Sequence, residues 1–250
     1  MRLMLCLLLF ATLSFEVSAE EAIIDLKYAA CLRAETEKLP GEPKLAIDGA
    51  NMGAFGRPDE SGIARSEVVD VEGQPFGKAI RVHVLKPVQP VWQVQFVTPD
   101  TQVPIKKGDV LLVVFYARCL ESKAETGGGH AGGHLQLNRE PWTATGEFAA
   151  NPGREWQKRY ERFIAAEDFA SGTLHLTFHL GRYAQVLEFG GLALFNFGPN
   201  VDAKMLPVVT VTYAGREADA AWRKEAAERI EQHRKGDLRI EVVDAGGKPV

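Results

Sequence analysis

Four stretches of this sequence place groups that can grip a flat, hydroxyl-bearing ligand at every second position. Lys78 to Leu85 alternates Ile80, Val82 and Val84 with Arg81 and His83. Trp92 to Val97 alternates Val94 and Phe96 with Gln93 and Gln95. Val110 to Arg118 sets Tyr116 and Arg118 against Phe115 and Ala117. Thr173 to Leu180 sets His175, Thr177 and His179 against Leu174, Leu176, Phe178 and Leu180. A β-strand turns successive side chains to opposite faces, so each stretch buries its apolar set and presents guanidinium, imidazole, amide or phenol groups. Such planar groups make fixed, often paired hydrogen bonds. Sugar hydroxyls need that set, and the C–H faces of sugars stack on aromatic rings. The competing reading of any one of these residues is the ordinary wet face of a sheet. Four strands sharing these groups, with little Lys or Glu, favour a site.

Other candidates are weaker. Thr126-Gly127-Gly128-Gly129-His130-Ala131-Gly132-Gly133-His134 reads as a metal or ligand loop, or as a flexible surface loop. No cysteine or carboxylate pattern accompanies its two histidines, so the spacing of a zinc site is not met. Trp142 follows Pro141 and either flanks a site or caps the fold, while Trp156 opens a strand and reads as core. A metal-dependent enzyme would have to draw on His83, His175 and His179. No close carboxylate pair is legible, so acid–base hydrolysis has no candidate residues.

The elements that must position these residues are mostly strands. Between residues 44 and 200 short β-rich runs follow one another with turn signals, such as Lys107-Gly108-Asp109, and no long helix. Gly190-Gly191 marks a bulge in the last run, Val186 to Phe197. The pattern predicts an all-β fold, a jelly-roll β-sandwich. Residues 20–43 read as a lead-in with a short helix ending at Pro40-Gly41, and 201–216 as a linker. Residues 217–236 read as an amphipathic helix. Ala218, Trp222, Ala226 and Ile230 recur every four positions, Asp219–Arg223, Glu225–Arg229 and Glu231–Lys235 pair at i,i+4, and Gly236 stops the helix. In 237–250, Leu238, Ile240 and Val242 alternate as a strand before the turn Asp244 to Gly247. That segment reads as the approach to a further domain beyond Val250.

Bulk properties narrow the class. With 46% apolar and 25% charged residues over 250 positions, the composition is globular. A net charge of −4 gives no reason to expect nucleic acid or an anionic membrane as partner. Arg2, the apolar run Leu3 to Phe10, and Val17-Ser18-Ala19 read as a secretory leader, residues 1–19, cleaved after Ala19. The run is shorter than the roughly 20 residues a membrane span needs. The expected location is therefore extracellular or periplasmic. Cys31 and Cys119 would remain, either as a disulfide or as one buried and one exposed thiol.

Two regions resemble known families. The run Ala221-Trp222-Arg223-Lys224-Glu225-Ala226-Ala227-Glu228-Arg229-Ile230, with His233 to Asp237 and the closing Val243-Asp244 and Gly247-Lys248-Pro249-Val250, is similar to the segment leading into the catalytic barrel of secreted family 10 glycoside hydrolases. Residues 44–198 resemble the jelly-roll carbohydrate-binding modules of families 4, 9 and 22. That likeness rests on Lys107-Gly108-Asp109, Phe115 to Arg118, Glu155-Trp156-Gln157 and Leu187 to Gly191. The resemblance implies a non-catalytic module that binds xylan-like β-linked polysaccharide for a missing C-terminal catalytic domain, with no cofactor beyond a structural calcium ion, for which Asp48, Asp70 and Glu188 offer oxygen donors that no spacing selects. The two carboxylates of such a hydrolase would lie on that missing barrel, so no catalytic residue is carried over. In the related modules a Trp-x-x-Glu pair on a strand helps to hold the chain. Trp92 and Gln95 have that spacing with Gln in place of Glu, and Trp92 reads equally as core. The alternative implied function is a packing domain that binds no sugar.

Overall fold

The computed structural model describes residues 23–58, 61–209, 221–236 and 239–250. The expected leader, residues 1–19, lies outside them, as do 217–220 of the expected helix. The chain divides into two compact units, one up to residue 209 and one from residue 210 onward.

The first unit is a sandwich of two antiparallel sheets. Its elements are α1 (Leu26–Thr36), β1 (Lys44–Asp48), β2 (Ala64–Asp70), β3 (Lys78–Val84), β4 (Gln95–Val97), β5 (Val110–Ser122), β6 (Ala131–Leu137), β7 (Ala144–Ala150), β8 (Gln157–Ile164), β9 (Leu174–His179) and β10 (Gln185–Asn196). The larger sheet runs β2-β3-β10-β5-β8, with β1 also paired to β10. The smaller sheet runs β4-β9-β6-β7. This is the all-β jelly-roll sandwich the alternation predicts. β5 and β10 are apolar at almost every position because both of their faces are covered, which makes them the central strands. The bulge expected at Gly190-Gly191 is there, as a register shift between Gly190 and Ala193.

Aromatic rings fill the space between the sheets. Phe96 and Phe178 stack at 4.4 Å, and Phe115 meets Phe178 edge-on at 5.4 Å. A second apolar cluster covers part of the larger sheet's outer face: Tyr28 and Leu32 of α1 and Leu206 pack over Leu112, Val114 and Phe195. Asp25 fixes α1 there. Its carboxylate accepts N–H bonds from Tyr28 at the helix start and from Gly77 and Lys78 at the entry to β3.

Two expectations change. Val91–Gln93 is a 3-10 turn after Pro90 and β4 is only three residues long, so the alternation from Trp92 does not describe a strand. β6 and β7 form where a glycine-rich loop and a flank were expected. Close packing explains the glycine: a Cβ on Gly133 would lie 2.0 Å from the Phe148 ring.

The second unit holds α2 (Ala221–His233), on which Glu231 pairs with Lys235. Glu225 and Arg229 do not come within ion-pair distance. Trp222 and Ile230 are both about half exposed. Residues 239–250 contain no strand. Val243 and Pro249 form a single bridge around a turn, which the Asp244 carboxylate holds by accepting from Gly246 and Lys248 N–H groups. No helix among the described residues is long and apolar enough to cross a membrane.

Candidate functional site

The residues selected from sequence do not share one face. Arg81 and His83 lie on β3, and Tyr116 and Arg118 on β5, all on the outer face of the larger sheet. There, strand register lines up Glu67, Arg81, Glu188 and Arg118 in one row across β2, β3, β10 and β5. Glu188 is 0% exposed and takes Arg81 Nη2 at 2.6 Å on one oxygen and Arg118 Nε at 2.6 Å on the other. His83 Nε2 lies 3.1 Å from Glu67. The Arg118 guanidinium sits 4.7 Å from the Trp156 ring, and Tyr116 packs against Phe76 at 5.1 Å. These groups are committed to one another. Alternation separates inward from outward residues but does not say which sheet a strand joins. The outward sides of the two sheets point in opposite directions, so the single polar face expected from four strands is two faces.

The outer face of the smaller sheet carries the rest. His175, Thr177 and His179 follow one another along β9, with Gln95 opposite His179 on β4. β6 adds His134 opposite Thr177 and Gln136 opposite His175, and β7 adds Glu147 opposite His134. Thr177 is fully buried among them and donates its hydroxyl to Gln95 Oε1 at 2.9 Å. The Gln95 amide nitrogen has no partner among the described residues. The His134 and His179 rings lie 4.6 Å apart.

Burial, reinforced by the neighbouring His134, lowers His179 to about 4. Burial also lowers His175, against the opposing pull of Asp100 3.7 Å away. Both imidazoles are therefore neutral near pH 7, each with one N–H donor and one acceptor nitrogen. Glu147 is the only charged side chain among the outward strand residues of this face. The sequence reading puts His134 in a loop and misses Gln136, because glycines mask β6. The legible signal was Gly132, His134 and Gln136 alternating with Ala131, Gly133, Leu135 and Leu137.

Trp92 is 54% exposed, not core, on the turn that leads into β4. Gln93 on the same turn donates to the Gln89 carbonyl. Trp142, 51% exposed with φ +56°, stands in the β6–β7 turn. The two tryptophans thus stand at opposite ends of the β9 row, which is about 17 Å long at the usual strand rise.

The remaining candidates are occupied elsewhere. His130 precedes β6 and bonds Asn151, while its backbone N–H donates to Gln185. Asp48 accepts from Ala50 N–H, Asp70 pairs with Lys78, and Glu188 holds the two arginines, so the three suggested calcium donors lie apart. Among the described residues no three His, Cys, Asp or Glu side chains gather to hold a metal ion. Cys31 and Cys119 are both free. Cys119 belongs to the core between the sheets, whereas Cys31 is on α1 across the larger sheet, so they cannot pair.

No protein-family model matches the sequence, and no curated protein matches it. Solved structures do. A CBM4 is 18% identical, over 60% of this chain and 92% of its own, with a TM-score of 0.42. The second N-terminal cellulose-binding domain of Cellulomonas fimi β-1,4-glucanase C is 16% identical, over 63% of this chain and 92% of its own, with a TM-score of 0.44. The N-terminal CBM22-1–CBM22-2 tandem domain of Paenibacillus barcinonensis Xyn10C is 8% identical, over 64% of this chain and 47% of its own, with a TM-score of 0.43. The assignment of the fold rests on the strand order and register of this chain itself.

Proposed function

We propose that the sandwich is a non-catalytic module that captures a neutral, β-linked, xylan-like polysaccharide on the outer face of its smaller sheet. The observation that carries this reading is a contiguous set of hydrogen-bonding groups, Gln95, His179, Thr177, His175, His134 and Gln136, in which His175 and His179 are neutral. Neutral imidazoles and amides both donate and accept, as sugar hydroxyls do. The larger sheet offers no comparable surface, because Arg81 and Arg118 are bound to Glu188 and part of the rest is covered. The module would act by holding a secreted glycoside hydrolase near its substrate, which raises the effective substrate concentration. Export is supported by the leader pattern, and the hydrolase by the similarity of the run from Ala221 to family 10 enzymes.

Affinity electrophoresis of the chain through xylan, mixed-linkage glucan, mannan and pectin tests the reading. Retardation by a neutral polymer should be lost in His179→Ala and Gln95→Ala and kept in Lys106→Ala, which lies in the loop before β5 and pairs with Asp168. Absence of retardation by every polymer, or retention of it in both site variants, would overturn the proposal. The second reading, a packing domain that binds no sugar, is favoured by one observation: the strands of this face carry no tryptophan or tyrosine for stacking.

A further inference from the structure

The larger sheet ends in a depression of about 440 Å³ where β3, β5 and β10 meet, lined in part by His83, Glu121, Lys123 and Arg154. It belongs to the larger sheet, whereas the histidine row lies on the outer face of the smaller one. Arg81 and Arg118 are bound to Glu188, Lys78 to Asp70, and Lys106 to Asp168. Lys123 and Arg154, by contrast, have no ion-pair partner among the described residues, although Glu121 lines the same depression.

Both cations stand on pinned backbone. Lys123 N–H donates to the Ala184 carbonyl at 2.9 Å, which ties the end of β5 to the start of β10. Gly153, next to Arg154, accepts from Cys119 N–H at 2.7 Å, and Pro152 accepts from Gly129 N–H at 2.9 Å. A register shift leaves Leu120 of β5 as an extra residue opposite Val186 and Leu187, and such a bulge bends β5 at this point. His83 is held at the wall by Glu67.

An ammonium and a guanidinium facing one concave space with a single carboxylate leave a net positive field there. The guanidinium fork and the point-like ammonium both match the oxygens of a carboxylate or sulfate. We propose that this depression is a second binding site, for the anionic group (uronate carboxylate or sulfate ester) of an acidic sugar chain. The two sheets would then hold different ligands, neutral chain on the smaller and acidic sugar on the larger.

Calorimetric titration of the full chain tests this, using oligogalacturonate, a sulfated galactan oligosaccharide, sodium sulfate and a neutral xylo-oligosaccharide as probes. One acidic oligosaccharide should bind and weaken with added salt. The Lys123→Gln, Arg154→Gln double variant should reduce that binding roughly tenfold or more, the usual weight of one to two charged hydrogen bonds. Xylo-oligosaccharide binding should be unchanged in the double variant and lost in His179→Ala, so failure at one sheet is separable from failure at the other. Absence of binding by both acidic oligosaccharides would overturn the proposal, as would binding that the double variant leaves intact. Sodium sulfate competing as well as either oligosaccharide would overturn its sugar component.

Discussion

At the scale of single residues, Glu188 is the group with most at stake. Its carboxylate is out of water, and two arginines from neighbouring strands satisfy it. Removing one partner of a buried ionic set leaves charges uncompensated, which typically costs 3–5 kcal/mol. Glu188→Ala should therefore lower the urea midpoint by about that free energy, while a folded fraction still binds neutral polysaccharide. A loss below about 1 kcal/mol would show that the arginines find water instead. The histidines carry a pH signature. His179 titrates at about 4 in the folded chain and near 6.5 when unfolded. Between those values the unfolded chain binds more protons, so stability is full above 6.5, falls as the pH drops, and bottoms out near 4. His175, lowered in the same direction, adds to the fall. The size should be on the order of 1–3 kcal/mol, given the partial exposure of the rings. Thermal unfolding at pH 7 and pH 4.5 should show a smaller difference in His179→Gln than in the natural chain. Equal differences would remove His179 from the account.

At the scale of elements, β6 is where packing and site meet. Gly133 faces the core with no room for a side chain, because the Phe148 ring fills the space, while His134 next to it faces outward. Gly133→Ala should cost about 1–3 kcal/mol by overpacking. It should also weaken neutral-glycan binding, because the displaced strand carries His134 and Gln136 with it. Chemical denaturation and affinity electrophoresis would check the two effects separately. An alanine tolerated without loss of stability would mean that Phe148 swings aside.

At the scale of the whole molecule, every described member of the two apolar clusters lies at or before Leu206. A chain ending at Val209 should melt within roughly 3 °C of the full chain, about the shift that 1 kcal/mol makes at this size. It should also keep any binding to neutral polysaccharide. A fragment that fails to fold, or that melts far lower, would show that the second unit contributes to the stability of the first.

The sequence by itself determined the class of fold. Alternation in β3 and β9 and the apolar runs of β5 and β10 mark two-sided strands, because a period of two is local geometry that every such strand obeys. It also marked which side chains of those strands face outward. Weakly patterned strands stayed hidden: glycines in β6 and β7 carry no hydrophobic signal, and their value lies in contacts such as Gly133 with Phe148. Only the tertiary structure decided which outward residues share a surface. Sheet membership is set by pairing between strands far apart in sequence, and that pairing sent Arg81 and Arg118 to Glu188 on one face. It brought His134, from an apparent loop, beside His179 on the other. The same long-range packing partly buried His175 and His179 and so settled their charge, a property that no spacing along the chain contains.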